Sequence, residues 1–551
     1  MNILLKRFLL PVLALILVAA PATALYAQAP KPVVVVSIAG VDELMGDIDY
    51  LTKSAGVEDY GNLFKLLAAP YTVGIDKTKP WGFVLQMNED ADRETLGFVP
   101  VKDLDVVFAA LKEQIGEPRD VGDGVYELTD PSPMYVKAKG GFAYLSDEKK
   151  HLGTLPDDPV ALLDGLETKY DIAVRALVQN VPRNLREMAV TEMRNQYELT
   201  LENQLRDLDA DSAEYQLTKK LSENQIERME DLINDSDEIT IGWTTDGMAK
   251  ETYLDLTMTA KADTPTSKRM ALLKGNASSF GGLAMENAAV TMSLTAKMAK
   301  EDIEQVTALL NMAKDNAFEE IENDTDLDTD AKREKAKDVV AGLLDTLKKT
   351  AESGKLDGGA ALVLKPQSMS FIAGGAVAEP QMLEDSLRKL VDLAKDEPDF
   401  PEVKFDAETH KGVTFHTMSV PVPEDEDQAR KVLGETLDVV VGIGKDAAYI
   451  SVGTDAAEML KMVINDSSMK VQDAVPMNLK VALTPIFKFA ASVEDNPVLE
   501  LITTTLEESD GKDHILLKAT PIDNGVSYRL TVEEGILQAI GQAVKFRGGG
   551  L

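Results

Sequence analysis

Short apolar or alternating stretches open four similar segments of the chain. Strict alternation places successive side chains on opposite faces of a strand, and a short, continuous apolar run is typical of a buried strand. A helical stretch follows each of the four. The stretches are "VVVVSIAG" from Val33, "DIAVRALV" from Asp171, "AVTMSLTA" from Ala289 and "NLKVALTP" from Asn478. The pattern therefore predicts a strand followed by helix at four places.

Two further alternating strands around a polar turn follow each helical stretch. The hairpins that begin at Glu238 and His514 contain Asp246-Gly247 and Asn524-Gly525, residue pairs that favour tight hairpin turns. The other two hairpins, from Trp81 and Gly359, are each followed by an amphipathic helix. The apolar faces of these two helices consist of Leu104, Val107, Phe108, Leu111 and Ile115, and of Leu383, Leu387, Leu390, Val391 and Ala394.

The order of elements suggests that the chain repeats itself. "KAKGGFAYLSDEKKHL" from Lys137 resembles "GIGKDAAYISVGTDAAEML" from Gly442, and a shared V-P-x-N-L stands at residues 181–185 and 475–479. An ordered series of similar elements is the signature of duplication. The alternative is that amphipathic α+β stretches look alike through composition alone.

These elements predict an α+β fold of tandemly duplicated strand-helix-hairpin-helix units. The units are expected to form antiparallel or mixed sheets with helices packed on one face. The predicted boundaries are a first half at 28–274 and a second at 275–547, each with two repeat units. The first half includes a long, charged helical segment at about 185–235.

The N-terminus has the layout of a secretory signal peptide at residues 1–27. Lys6 and Arg7 precede an apolar run from Phe8, and small residues follow, with Ala24 or Ala27 as the last residue before cleavage. The run is shorter than the ~20 residues that span a bilayer. No later segment approaches that length, so we expect an exported chain in the periplasm, cell envelope or extracellular space, with no transmembrane segment after cleavage.

Composition narrows the classes of partner. The chain has 57 basic and 93 acidic residues, a net charge of −36, so it repels phosphate backbones and nucleic-acid binding is not expected. It contains no cysteine, which excludes disulfides and cysteine-based catalysis. A chain of 551 residues can bury enough apolar surface to fold without disulfides. The alternative is that the negative charge only keeps the protein soluble and does not reflect a particular partner.

One acidic cluster is a candidate for binding calcium. Asp324, Asp326, Asp328 and Asp330 alternate in "ENDTDLDTDAKREK", and Ca²⁺ takes carboxylate oxygens as ligands. An EF-hand loop from Asp324 would need glycine at position 329 and glutamate at 335, where the chain has Thr329 and Lys335. The alternative is a turn between two helices, where aspartate is a favoured cap.

Motifs for other catalytic chemistry are weak. The chain has no G-x-S-x-G elbow, and Ser146 with Lys149 matches only the loose S-x-x-K spacing. The four histidines, His151, His410, His416 and His514, are expected to be solvated or locally hydrogen-bonded, none of them near a suggestive serine. His410 and His416 would lie about 20 Å apart along a strand, too far to share one metal ion.

The exported, acidic, repetitive pattern resembles that of uncharacterised exported α+β repeat proteins of bacteria, a resemblance that assigns no functional residue. It favours a non-enzymatic envelope or periplasmic protein that acts as a binding or structural scaffold, with a protein or envelope partner or with itself. One alternative is a hydrolase that uses carboxylates or a divalent metal. Another is a carrier of an apolar ligand, because the inner strand faces are rich in Leu and Val and the chain has 21 methionines.

Overall fold

Alternating and apolar runs form the strands of this protein, and the amphipathic stretches form its helices. The computed structural model describes residues 30–548 except 130–132, 207, 211, 396–399 and 469–474. The predicted signal peptide, residues 1–27, lies outside the described residues. The strands are β1 (Lys31–Ile38), β2 (Trp81–Met87), β3 (Arg93–Pro100), β4 (Arg119–Asp120), β5 (Val125–Leu128), β6 (Met134–Lys139), β7 (Phe142–Ser146), β8 (Ile172–Leu177), β9 (Ser236–Asp246), β10 (Glu251–Ala260), β11 (Val290–Lys297), β12 (Lys355–Lys365), β13 (Ser368–Ala376), β14 (Val403–His410), β15 (Val413–Pro421), β16 (Thr436–Ile443), β17 (Ala447–Gly453), β18 (Met477–Ala482), β19 (His514–Ile522) and β20 (Gly525–Glu533).

The helices include all the helical segments that periodicity predicts. Within the described residues they are α1 (Val41–Ser54), α2 (Glu58–Ala68), α3 (Leu104–Ile115), α4 (Arg183–Leu205), α5 (Ala213–Asp235), α6 (Pro265–Ala271), α7 (Lys300–Asn323), α8 (Asp330–Glu352), α9 (Pro380–Ala394), α10 (Asp427–Leu433), α11 (Ala456–Ser467), α12 (Leu483–Val493), α13 (Pro497–Glu507) and α14 (Glu534–Gly548). None of these helices combines the length and the apolar character needed to cross a bilayer.

Local chemistry sets the ends of the helices, as α3 illustrates. The Asp103 carboxylate accepts the backbone N–H groups of Asp105 and Val106 and so caps the N-terminus. Gly116, with φ 73°, ends the helix in a backbone conformation that favours glycine. Between these ends Phe108 is buried, as the apolar stripe predicts.

Contacts divide the chain into two units. Unit 1 holds the described residues up to Gln204, Asn224–Ser267 and those from Ile522 onward, whereas unit 2 holds Leu205–Glu223 and Lys268–Pro521. The last strand and the last helix of the chain therefore belong to unit 1. The prediction of a mixed α/β chain with large antiparallel sheet is confirmed at this level.

Unit 1 contains an antiparallel sheet with the strand order β4-β5-β6-β7-β3-β2-β1-β8-β9-β10-β20. One face packs against the segment at residues 149–170, which crosses the sheet in short 3₁₀ turns. This segment contributes Leu152, Leu163, Leu166 and Tyr170 to the core. On the other face, α3 packs through Phe108 over the end of the sheet formed by β5, β6 and β7.

Unit 2 also contains an antiparallel sheet, in the order β14-β15-β16-β17-β13-β12-β11-β18-β19. One face forms the main core of this unit. Helix α11 and residues 280–288 cover that face, with Leu460, Val463 and Leu283 against Ile372 and Phe415.

The two copies of V-P-x-N-L do not occupy matching elements. Residues 181–185 lie at the start of α4, after strand β8, whereas residues 475–479 lead into strand β18. The shared motif is therefore not a structural equivalence. The two similar segments that begin at Lys137 and Gly442 differ from this motif, because each segment contributes a pair of neighbouring strands, β6–β7 in one and β16–β17 in the other.

Candidate functional site

Of the four aspartates proposed for calcium, Asp324, Asp326 and Asp328 lie in the exposed turn between α7 and α8, and the exposed Asp330 is the first residue of α8. Asp324 accepts the backbone N–H of Asp326 at 2.8 Å. Asp328 pairs with Lys332 at 3.2 Å and Asp330 with Arg333 at 3.3 Å. These contacts are those of a helix-connecting turn, the alternative interpretation of the sequence. Calcium binding at the four aspartates stays a prediction.

A different cluster brings three possible metal ligands together in unit 2. Within the part of the chain that the structure describes, the side chains of Glu384, Asp406 and His416 converge, with one ligand atom of each within 4.8 Å of the others. They come from α9, β14 and β15. Periodicity along the chain could not find this cluster, because the packing of a helix on a hairpin assembles it.

An arginine occupies the space between the two carboxylates. Arg388 Nη2 lies 2.6 Å from Glu384 Oε1 and 2.8 Å from Asp406 Oδ2. Its guanidinium carbon lies 4.4 Å from the centre of the Phe405 ring, within the range of a cation–π contact. Arg388 therefore neutralises the two carboxylates. A metal ion would have to compete with it for the same oxygens.

The protonation of His416 also disfavours metal binding. Nδ1 of this buried ring accepts the backbone N–H of Asp406 at 3.1 Å, so a neutral ring carries its proton on Nε2. Burial lowers the pKa of His416, with Arg388 acting in the same direction and the two carboxylates opposing it. Nε2 lies 3.8 Å from Glu384 Oε1 and, as an N–H group, has no lone pair for a metal. The cluster holds α9 to the β14–β15 hairpin.

The expectation that no histidine lies near a suggestive serine is wrong. His151 Nδ1 lies 3.1 Å from Ser146 Oγ and 3.5 Å from Asp147 Oδ1. In a catalytic triad the serine and the carboxylate contact different ring nitrogens, so that one nitrogen takes the serine proton while the carboxylate orients the ring through the other. Here one nitrogen faces both groups, and Ser146 is buried. The geometry is that of a hydrogen-bonded turn after β7.

Two other histidines make local contacts, as predicted. His410 Nε2 lies 3.0 Å from Asn465 Oδ1. His514 Nδ1 lies 3.4 Å from its neighbour Asp513. Neither histidine converges with two further acidic or histidine side chains in the described ranges.

A further surface feature is an apolar face of the unit 1 sheet. Strand register aligns three cross-strand rows over β2, β1, β8, β9, β10 and β20. All eighteen positions are apolar or aromatic, and we call them the apolar face. The rows are Trp81–Ile38–Ile172–Trp243–Leu254–Leu530, Phe83–Val36–Val174–Ile241–Leu256–Tyr528 and Leu85–Val34–Ala176–Ile239–Met258–Val526.

The first two rows of the apolar face are partly accessible to solvent, whereas Val34, Leu85 and Val526 of the third row are buried. Six side chains of the first two rows are between 37 and 43 % exposed, namely Phe83, Ile172, Val174, Leu254, Leu256 and Leu530. Both tryptophans of the chain lie on this face. Trp243 donates its indole N–H to the Thr252 hydroxyl at 3.0 Å, so its polar atom is satisfied on the strand itself.

The opposite face of the same strands carries the polar groups. Asp255 accepts a double hydrogen bond from Arg529, at 2.7 and 2.8 Å, and a third from Tyr170 at 3.1 Å. The usual arrangement, with apolar side chains against the core and polar ones towards water, is therefore inverted along β10. Large accessible apolar surfaces are typical of interaction sites in proteins.

Unit 2 has a comparable face. One apolar row runs across eight strands as Ile515–Val481–Val290–Leu362–Phe371–Val452–Val439–Met418. The next row passes through Met292 and Ile450, both partly exposed, and ends at His416. The cluster of Glu384, Arg388, Asp406 and His416 therefore lies at one end of this row.

No family model, curated protein or solved structure matches the chain. The side chains of the protein itself therefore carry its functional assignment.

Two carboxylates, the buried Asp171 and the half-buried Asp47, lie at one end of the apolar face of unit 1. Asp171, directly before Ile172 of the first row, accepts the backbone N–H of Thr245 at 2.6 Å. Asp47 of α1 is half-buried, and its Oδ2 has no hydrogen-bond partner among the described residues. Burial, then the charges of Asp171 and Glu43, raise the pKa of Asp47 to about 7.

The raised pKa predicts a protein that loses stability as the pH rises. Folded Asp47 holds its proton more tightly than the unfolded chain, whose ordinary pKa is 3.8, so its contribution is complete below pH 3.8 and is lost as the pH rises through about 7. Because solvent screens a half-buried group, we expect a loss of about 1–2 kcal/mol. Urea unfolding at pH 5 and pH 8 measures it.

Asp47→Asn should remove this part of the pH dependence and stabilise the protein at pH 8. The matched control is Asp42→Asn, an exposed position on the same helix, which should leave the difference between the two pH values unchanged. An equal pH dependence in wild type and Asp47→Asn would contradict the prediction.

Proposed function

We propose that this protein is an exported, non-enzymatic binding protein that takes an apolar ligand on its apolar sheet faces. It would act in the periplasm, the cell envelope or the extracellular space. The observation that carries the proposal is the unbroken set of apolar positions across six strands of unit 1, whose first two rows include six partly exposed side chains. Maintaining such a surface against water costs about 25 cal/mol per Å², which burial of a ligand recovers.

The degree of exposure favours a hydrocarbon chain over a folded protein partner. Residues at the centre of the face, such as Val174 and Leu256, are about two-fifths exposed, so they are half-enclosed. A thin, flexible chain reaches half-enclosed side chains more readily than the broad surface of a folded domain does. No member of the three rows carries a charge, which matches a hydrocarbon ligand.

The dimensions of the apolar face fit an acyl chain. Five spacings of ~4.8 Å between six strands give a length of about 24 Å, and the first two rows, which hold the exposed side chains, lie about 7 Å apart. One leaflet of a bilayer is about 15 Å of hydrocarbon. A lipid acyl chain can therefore lie along the face within its boundaries.

The proposal includes duplication of one ancestral unit. The two sheets share one strand order. Nine strands of unit 1 follow the order β4-β5-β6-β7-β3-β2-β1-β8-β9, and the nine strands of unit 2 follow the same order, β14-β15-β16-β17-β13-β12-β11-β18-β19. A coincidence of composition does not reproduce such a spatial order, since the order depends on long-range pairing. Two copies would give the protein two comparable apolar faces.

The test uses the two tryptophans as reporters. Bromine quenches indole emission only on contact, so 9,10-dibromostearate should quench the emission of Trp81 and Trp243 in a saturable way, and unbrominated stearate should compete. Trp81→Phe and Trp243→Phe assign the signal to each position. Leu254→Glu places a charge on the face beside Trp243 and should weaken binding at least tenfold, about 1.4 kcal/mol.

The control is Leu501→Glu on α13 of unit 2. Leu501 is 42 % exposed and Leu254 is 43 %, so the two substitutions differ in location rather than in burial. Stearate affinity at the tryptophans should survive the control. Quenching no greater than that of free tryptophan amide, or equal affinity in Leu254→Glu and wild type, would remove the proposal and favour the scaffold or hydrolase alternatives.

A further inference from the structure

Helix α2 turns its apolar side away from the protein. Leu63, Leu66 and Leu67 point outward and are between 51 and 71 % exposed. Large apolar side chains flank them on the helix and on the segment that follows it. Together these seven residues form the α2 patch, which consists of Tyr60, Leu63, Phe64, Leu66, Leu67, Tyr71 and Val73.

The polar side of α2 faces its own unit. Gly61 is buried against Thr52 of α1, where a Cβ atom would lie 2.5 Å from the hydroxyl oxygen. Lys65 forms an ion pair with Asp49 of α1. A surface helix usually buries its apolar stripe and exposes its charges. The inverted arrangement of α2 exposes apolar surface in a way that soluble proteins reserve for interaction sites.

The composition of the patch suits the surface of a bilayer. Between Tyr60 and Val73 the only charged residue is Lys65, and that lysine is paired. Tyr60 and Tyr71 bracket the leucines, and tyrosine favours the boundary between headgroups and hydrocarbon. With a net charge of −36 the chain is repelled by anionic lipid. Phosphatidylcholine, which has no net charge, is therefore the appropriate lipid.

The patch lies at the end of unit 1 where the first row of the apolar face is found. Strand β1 ends at Ile38, a member of that row, just before α1. In the β9–β10 turn, Gly247 lies against Tyr50 of α1, with a position for a Cβ atom 3.3 Å from the ring. The neighbouring Met248 is 97 % exposed.

Helix α14 extends the exposed apolar surface near α2. Its Gly541 lies against Ala55, in the turn between α1 and α2. Ile540, Val544 and Phe546 on the same helix are exposed. Because α2 and α14 lie close together, a flat membrane surface could contact the exposed apolar side chains of both helices.

We infer that the α2 patch docks unit 1 on the surface of a phospholipid bilayer of low net charge, with the three leucines at the boundary of the hydrocarbon. Docking there would place the first row of the apolar face beside the source of an acyl ligand. The use of the patch for ligand transfer rests on the proposed function. Bilayer binding itself does not depend on it and can be tested separately.

The absence of cysteine allows a clean test on the full chain. Leu63→Cys is labelled with nitrobenzoxadiazole, a dye whose emission shifts to the blue and brightens in an apolar environment, and is titrated with phosphatidylcholine vesicles. The control is Leu347→Cys on α8 of unit 2, because Leu347 is 55 % exposed and Leu63 is 51 %. We expect the blue shift at position 63 and none at position 347.

A charge in the patch should weaken the interaction. Leu66→Glu with Leu67→Glu should lower partitioning of the position-63 probe into vesicles at least tenfold, and addition of phosphatidylglycerol to the vesicles should also lower it. A missing blue shift, or equal partitioning with and without the two glutamates, would overturn bilayer docking. A blue shift that grows with protein concentration without vesicles would overturn it in favour of a second copy of the chain.

Dibromostearate quenching separates this inference from the proposed function. The Leu66→Glu, Leu67→Glu protein should keep its stearate affinity at Trp81 and Trp243, since neither leucine belongs to the apolar face. Vesicle binding without quenching would leave docking correct and the ligand proposal wrong. Quenching without vesicle binding would leave the ligand proposal correct and bilayer docking wrong.

Discussion

Replacing Asp255 with alanine is expected to lower the free energy of unfolding of unit 1 by about 3 kcal/mol, because it removes the buried partner of an ion pair and leaves the Tyr170 hydroxyl without its acceptor. Asp255 is 2 % exposed and accepts two hydrogen bonds from Arg529 and one from the buried Tyr170 hydroxyl. Partial exposure of Arg529 lets water rehydrate its guanidinium, which keeps the loss at the lower end of the range for such pairs.

Urea unfolding followed by tryptophan emission measures this loss in the right unit, because Trp81 and Trp243 both lie in the sheet of unit 1. The control is Asp237→Ala, an exposed aspartate on β9, which should change stability by less than about 0.5 kcal/mol. A loss of under 1 kcal/mol for Asp255→Ala would show that the pair contributes little.

The second large effect is expected at Gly541, where substitution by alanine should destabilise the protein by about 2–3 kcal/mol. A Cβ at this position would lie 1.6 Å from the carbonyl oxygen of Ala55, so α14 and the α1–α2 turn must separate to admit it. Because backbone rather than a flexible side chain stands in the way, a rotamer change cannot relieve the clash.

The sign of the change identifies the cause. A glycine inside a helix is normally about 1 kcal/mol worse than alanine, so an unobstructed Gly→Ala change stabilises the protein. Gly46 of α1 provides that case, since a Cβ there would meet nothing within 4 Å. Gly46→Ala should raise the urea midpoint and Gly541→Ala should lower it. Changes of the same sign in both variants would show that α14 does not depend on close approach to Ala55.

The stability variants and the functional variants act on different parts of unit 1. Asp255 lies on the strand face opposite the apolar rows, although its neighbours Leu254 and Leu256 belong to those rows. Loss of the Asp255 pair should therefore weaken folding without changing the chemistry of the ligand face. Stearate affinity measured well below the urea transition should remain near the wild-type value.

The candidate sites were harder to predict than the elements that carry them. Alternation located strands such as β1 and β8, and the apolar stripe located α3, because each pattern depends on residues a few positions apart. The contact of Arg388 with Asp406 joins a helix to a strand of the following hairpin, and no local period encodes it. The bond between His151 and Ser146 spans five residues and shows that even a short turn can bring unrelated side chains together.

The sequence by itself determined the mixed α/β class, the positions of strands and helices, the acidity and the lack of cysteine, because these depend on composition or on local periods. Only the tertiary structure decided which faces stay accessible. The row from Trp81 to Leu530 needs the register of six strands contributed from distant parts of the chain. An apolar stripe such as that of α2 has the same period whether it faces a core or the solvent, so its direction is fixed by what packs on the other side, here α1.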